Sequence, residues 1–151
     1  MKEIAKCYEE CVGILKKWLE GIKPEHLTEN LLGGPSINWE LGHIALYRYL
    51  LARMLGQEEP EPSWKQAFDF GSQPGQPLPL NCDELMVEIE RITPKIVDRL
   101  CSLSEEERVK KGERGYTLGE TIAFFLWHEG SHFGRLSYIR ARLGYPWPLE
   151  E

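Results

Sequence analysis

Four segments of this chain place an apolar residue at every third or fourth position over about twenty residues, and no segment alternates as a half-buried strand does. This constrains the fold more than any composition figure. A helix with one apolar stripe must bury it, and where helices are the only elements available the partner is another helix. The first segment covers about residues 2 to 20, with Ile4, Cys7, Cys11, Leu15, Trp18 and Ile22 on its stripe and Lys6, Glu9, Glu10, Lys16, Lys17 and Glu20 opposite. The second runs from about Ser36 to Leu55, between the breaker Gly33-Gly34-Pro35 and Gly56. The third starts at Asn81, capped with Glu84, and continues through Leu85, Ile89, Ile92, Ile96 and Leu100, with a kink expected at Pro94. The fourth opens on the capping box Thr117-Leu-Gly-Glu120, runs to Leu143 and stops at Gly144 and Pro146.

These segments predict an all-α four-helix bundle. At 151 residues the chain has the length of one domain, residues 1–151, with enough material for a buried core. Residues 57–80 hold five of the ten prolines and cannot be helical throughout, so they read as a long Pro-rich crossover between the second and third helices. Trp64, Phe68 and Phe70 are too apolar for a free linker. Either they pack on the bundle or the segment covers a pocket.

Charge and cysteine content narrow the functional classes. The balance is 18 basic against 24 acidic residues, a net charge of −6, and basic residues cluster no further than pairs such as Lys16-Lys17 and Lys110-Lys111. Nucleic acid needs a basic stripe, so neither it nor an anionic membrane is an expected partner. No apolar run reaches the ~18 residues that span a bilayer. Acidic residues within the first ten positions argue against a signal peptide, and a cytoplasmic protein is expected. Cys7, Cys11, Cys82 and Cys101 form no C-x-x-C pair and read as reduced thiols, Cys7 and Cys11 as core residues on the first stripe.

Histidine is scarce: His26, His43, His128 and His132 are the full set. His26 lies in the Lys23-Pro24-Glu25 connection and reads as a surface residue. In the fourth helix the stripe Phe125, His128, His132, Leu136, Ile139, Leu143 turns two histidines to the core. In the second, Trp39, His43, Tyr47, Leu50 and Met54 do the same for His43. Three inward imidazoles repel one another if charged and need partners if neutral, and one divalent metal resolves both. Imidazole suits zinc, nickel, iron or copper.

The letters HEGSH, residues 128–132, spell the H-E-x-x-H of zinc proteases. The context denies that reading: the extended protease motif needs Gly and His where this chain has Arg135 and Tyr138, and only Glu150 and Glu151 follow as alternative third ligands. A di-iron carboxylate bundle would use Glu40-x-x-His43 and Glu129-x-x-His132, but Glu9, Glu10, Glu84 and Glu88 lie on charged faces. One metal held by His43, His128 and His132 fits best.

"SINWELGHIALYRYLLARMLG" (36–56), with Trp39, Gly42 and His43, resembles the second helix of the DinB/YfiT-like superfamily. "TLGETIAFFLWHEGSHFGRLSYIRARLG" (117–144) resembles its fourth, with H-x-x-x-H followed by Gly134 and a closing Leu-Gly. Arg135 stands where many members have Gln, and Ser131 where many have a second His. The resemblance implies an up-down-down-up bundle, often a homodimer, with the metal on His43, His128 and His132. It also implies chemistry on low-molecular-weight thiols, such as thiol transfer to an electrophile, with a small-molecule substrate and the thiol as cosubstrate.

Three histidines leave at least one coordination position open, which favours a reactive over a sealed site. Glu129 is a candidate proton relay, or it is solvent-facing or behind the ligands, since it points about 100° from His128. Trp39 and Tyr47 are candidate pocket residues, Tyr47 by packing or by donating a hydrogen bond. Gly130 and Gly134 either open space at the metal or admit another helix. The competing reading is a non-catalytic metal-binding or dimeric scaffold.

Overall fold

The structure, a computed structural model, describes residues 1–72, 77–112 and 114–148. Part of the 57–80 segment (73–76) and the acidic tail with Glu150 and Glu151 lie outside the described residues. Four long helices form as the periodicity predicts: α1 (Lys2–Leu19), α3 (Ile37–Met54), α5 (Cys82–Ser102) and α7 (Leu118–Arg142). Three one-turn helices sit between them: α2 (Pro24–Leu27), α4 (Lys65–Phe68) and α6 (Glu105–Val109). No strand occurs among the described residues.

Side-chain caps start the helices where the sequence places them. Ser36 Oγ accepts from the Trp39 amide at the start of α3. Asn81 with Glu84, and Thr117 with Glu120, form complete capping boxes at α5 and α7. Gly56 and Gly144, at φ 83° and 82°, take the left-handed conformation just past α3 and α7. α5 continues through Pro94 as one helix.

Pairings along the helices give their directions. Asn38 at the start of α3 binds the Leu80 carbonyl and the Cys82 thiol, and Arg99 late in α5 binds the Leu55 carbonyl, so α3 and α5 run the same way. Glu40 meets His132 and His43 meets His128, so α7 runs opposite to α3. α1 and α3 each pack against both α5 and α7.

The phase of two stripes differs from the sequence reading. On α1 the core side carries Ala5, Tyr8, Leu15 and Trp18, whereas Cys7 is exposed and Cys11 half-buried. Tyr8 decides this: its ring packs under the Arg48 guanidinium at 5.3 Å, which turns Cys7 outward. On α3, 13 of 18 residues are buried, so the helix has no single stripe. Ile37, Leu41, Ile44 and Leu51 reach the centre, and Met54 ends exposed.

The segment between α3 and α5 packs on the bundle in part. Phe68 is fully buried and Trp64 half-buried, but Phe70 is 88% exposed. Buried Glu59 pairs with Arg91 and Lys95, fastening this segment to α5. His26, read as a surface residue, is half-buried with Nδ1 2.8 Å from the Tyr145 hydroxyl. Among the described residues no helix is long and apolar enough to cross a membrane.

Candidate metal centre

His43 from α3 and His128 and His132 from α7 bring their ring nitrogens within 4.8 Å of one another. Their spacing on α7 places two rings one turn apart on the side that faces α3. His128 Nε2 lies 3.4 Å from His43 Nε2 and 3.2 Å from His132 Nε2, so all three Nε2 atoms converge. His43 and His132 are almost wholly buried.

The outer nitrogens fix the tautomers. His43 Nδ1 lies 2.6 Å from the Phe68 carbonyl, which only accepts, so Nδ1 carries the proton and Nε2 is bare in the neutral ring. His132 Nδ1 likewise meets a carboxylate oxygen of Glu40. Burial drives the pKa of His43 down to about 4 and outweighs the Phe68 bond, and burial with the neighbouring His132 does the same for His128. With both rings neutral, two bare Nε2 lone pairs point at His128 Nε2, which as an N–H donor satisfies one of them at most. A cation among the three satisfies all. The donor set fits a divalent transition metal, and the Phe68 carbonyl and Glu40 behind it match the outer partners that metal-bound imidazoles require.

Above the rings a cavity of about 500 Å³ opens, lined by Trp39, Tyr47, Phe124, Trp127, Ser72 and Arg135 among others. Trp39 stacks on His43 at 4.8 Å and donates from Nε1 to Ser72 Oγ at 2.8 Å. Tyr47 stacks on His128 at 4.1 Å and leans on His43 at 4.4 Å, so it packs on two ligand rings. Both predicted pocket residues line this wall, and the 57–80 segment adds Phe70, Gly71 and Ser72 to it. Gly130 and Gly134 face open space; a Cβ on either meets nothing within 4 Å.

Glu129 is the correction. Its carboxylate is buried on the core side of α7, accepting from Arg48 Nε at 3.1 Å and Nη2 at 2.6 Å. Committed to that guanidinium, it is neither solvent-facing nor placed to relay a proton at the histidines.

Three participants escaped the sequence reading. Glu40 reads from the sequence only as a di-iron ligand, although its place one turn before His43 signals a residue at the same site. The Phe68 carbonyl has no sequence signal. Arg48 had one, an arginine amid the apolar residues of α3.

No curated protein matches the chain. A family model described as the DinB superfamily matches residues 8–136, a span that takes in all three histidines, Glu40 and the aromatic wall, and the chain belongs to that superfamily.

Proposed function

We propose that this protein is a metal-dependent enzyme that transfers a low-molecular-weight thiol to a small electrophile, with the metal held by His43, His128 and His132. The observation that carries the reading is the opening of three convergent Nε2 atoms onto a cavity of about 500 Å³. A non-catalytic scaffold would seal its metal with a fourth protein ligand, and among the described residues no other His, Cys, Asp or Glu joins this group.

When bound, the metal would supply a Lewis acid that lowers the pKa of a thiol toward neutrality. The chain's residues do the rest. The Phe68 carbonyl and Glu40 hold His43 and His132 with Nε2 bare and aimed inward. Trp39, Tyr47, Phe124 and Trp127 form an aromatic wall that suits a flat or apolar electrophile. Arg135, its side chain 56% exposed at the rim and its Nη1 3.7 Å from Glu40 Oε1, keeps its outward N–H groups for an anionic group on either reactant. In the reaction the thiol S–H bond is broken and its proton passes to water at the cavity mouth, the sulfur pair forms a bond to the electrophilic carbon, and the leaving group departs with the pair of the bond it breaks.

The thiol comes from outside the chain. Among the described residues no cysteine lines the cavity, and burial pushes the thiol pKa of Cys11 up to about 11 and that of Cys82 up to about 12. A homodimer with one such site per subunit belongs to the same proposal.

Elemental analysis of purified protein tests the metal: about one ion per chain, lost in His43→Ala, is expected. Turnover of a chlorodinitrobenzene across a panel of thiols tests the reaction. A loaded protein silent with every thiol would overturn the transferase reading.

A further inference from the structure

Arg48 is among the largest fully buried side chains of the described residues, 1% exposed. Its fork grips Glu129 of α7 with two hydrogen bonds, and Nη1 donates to Thr93 Oγ1 of α5 at 2.5 Å. Nη2 also reaches the Tyr8 carbonyl of α1 at 3.4 Å, and the Tyr8 ring lies against the same guanidinium. All four long helices thus meet on one cation.

A buried ion pair is a poor source of stability, because desolvation offsets much of the attraction. Replacing both partners with apolar residues is often neutral or stabilising. Its better-attested use is to specify register, and here the geometry supplies one to specify. Glu129 lies between His128 and His132 in sequence, about 100° around α7 from His128 and about 60° from His132. A two-point fork fixes both the rotation and the axial position of α7 relative to α3, whereas apolar contacts alone tolerate sliding. Rotating α7 moves His128 and His132 together away from His43.

We infer that Arg48 and Glu129 are positioning residues of the metal centre, locking α7 at the rotation where its two histidines meet His43. The inference rests on the metal reading above. The test uses full-length wild type, the apolar pair R48M/E129L, and R48K, which keeps the charge but loses the fork. Apo Tm, Co(II) affinity by chelator competition and the visible spectrum of the Co(II) protein are measured for each. R48M/E129L is expected to keep an apo Tm near or above wild type, while its Co(II) affinity falls about tenfold or more and its spectrum changes. R48K is expected to lose affinity in the same direction. A purely structural role would lower apo Tm and leave the affinity and spectrum of the folded variants intact. Unchanged Co(II) affinity and spectrum in either folded variant overturns the inference; if R48M/E129L does not fold, R48K decides. A wild type that binds no Co(II) overturns the metal reading and this inference with it, which separates the two failures.

Discussion

Gly42→Ala is the substitution whose consequence the structure fixes most tightly. By propensity alone it should stabilise the middle of α3 by about 1 kcal/mol. The site argues otherwise. A Cβ at position 42 would lie 2.1 Å from Phe68 Cδ1 and 2.2 Å from Cε1. Carbon atoms pack at about 3.5–4 Å, so the ring must withdraw by roughly 1.5 Å. Phe68 is fully buried, and overpacking of this kind costs about 1–3 kcal/mol. Moving Phe68 also strains the bond from its carbonyl to His43 Nδ1, worth about 1 kcal/mol. With the propensity gain subtracted, the net loss centres on about 2 kcal/mol, a fall in Tm of roughly 4–8 °C for a chain of this size. Metal affinity should fall by up to about tenfold, because the bond that orients His43 is strained. Thermal unfolding of the apo protein and chelator competition read the two effects. In a Phe68→Leu background the penalty should shrink, the mark of direct coupling in a double-mutant cycle. A Gly42→Ala protein with an unchanged or higher Tm and wild-type metal affinity would refute the reasoning.

Three further outcomes are expected. His128→Ala should abolish metal binding, since it removes the Nε2 atom that lies between those of His43 and His132; elemental analysis checks it. Glu40→Gln keeps an acceptor for His132 but loses the charge behind it, and should weaken metal affinity about tenfold, read by competition. Apo stability should depend on pH through His43 and His128. Both are held near 4 when folded and titrate near ~6.5 when unfolded, so between those values the unfolded chain binds more protons. Their contribution is therefore intact above pH ~6.5 and is lost as pH falls toward 4. Urea midpoints across that window should show the slope, and His43→Asn should flatten it.

The four long helices and their caps are legible in the sequence because capping and 3.6-residue periodicity are local properties. Ser36, Asn81 and Thr117 each act within one turn, and each cap forms where expected. The phase of a stripe is not local. On α1 the set Ile4, Cys7, Cys11 and the set Ala5, Tyr8, Leu15 both satisfy the helical period, and the choice falls to Tyr8 because Arg48 waits across the bundle. The segment after α3 escapes for a similar reason. Its proline content disguises one turn of helix that seats Phe68 over Gly42, and a backbone carbonyl that orients a ligand leaves no trace in residue type.

The same limit explains the letters HEGSH. The spacing of His128 and His132 carries its own meaning, since i and i+4 share a side of any helix. Glu129 points about 100° away, and for a helix with one buried face that direction would be solvent. α7 packs against both α1 and α3, so its buried arc is wide enough to take in the metal stripe and the residue beside it. What lies in that arc is Arg48, a cation that cannot be left unpaired without severe loss. The glutamate that completes the protease spelling thus answers a charge on another helix, and its offset from the histidines, about 100° from His128 and about 60° from His132, suits it to fix their rotation.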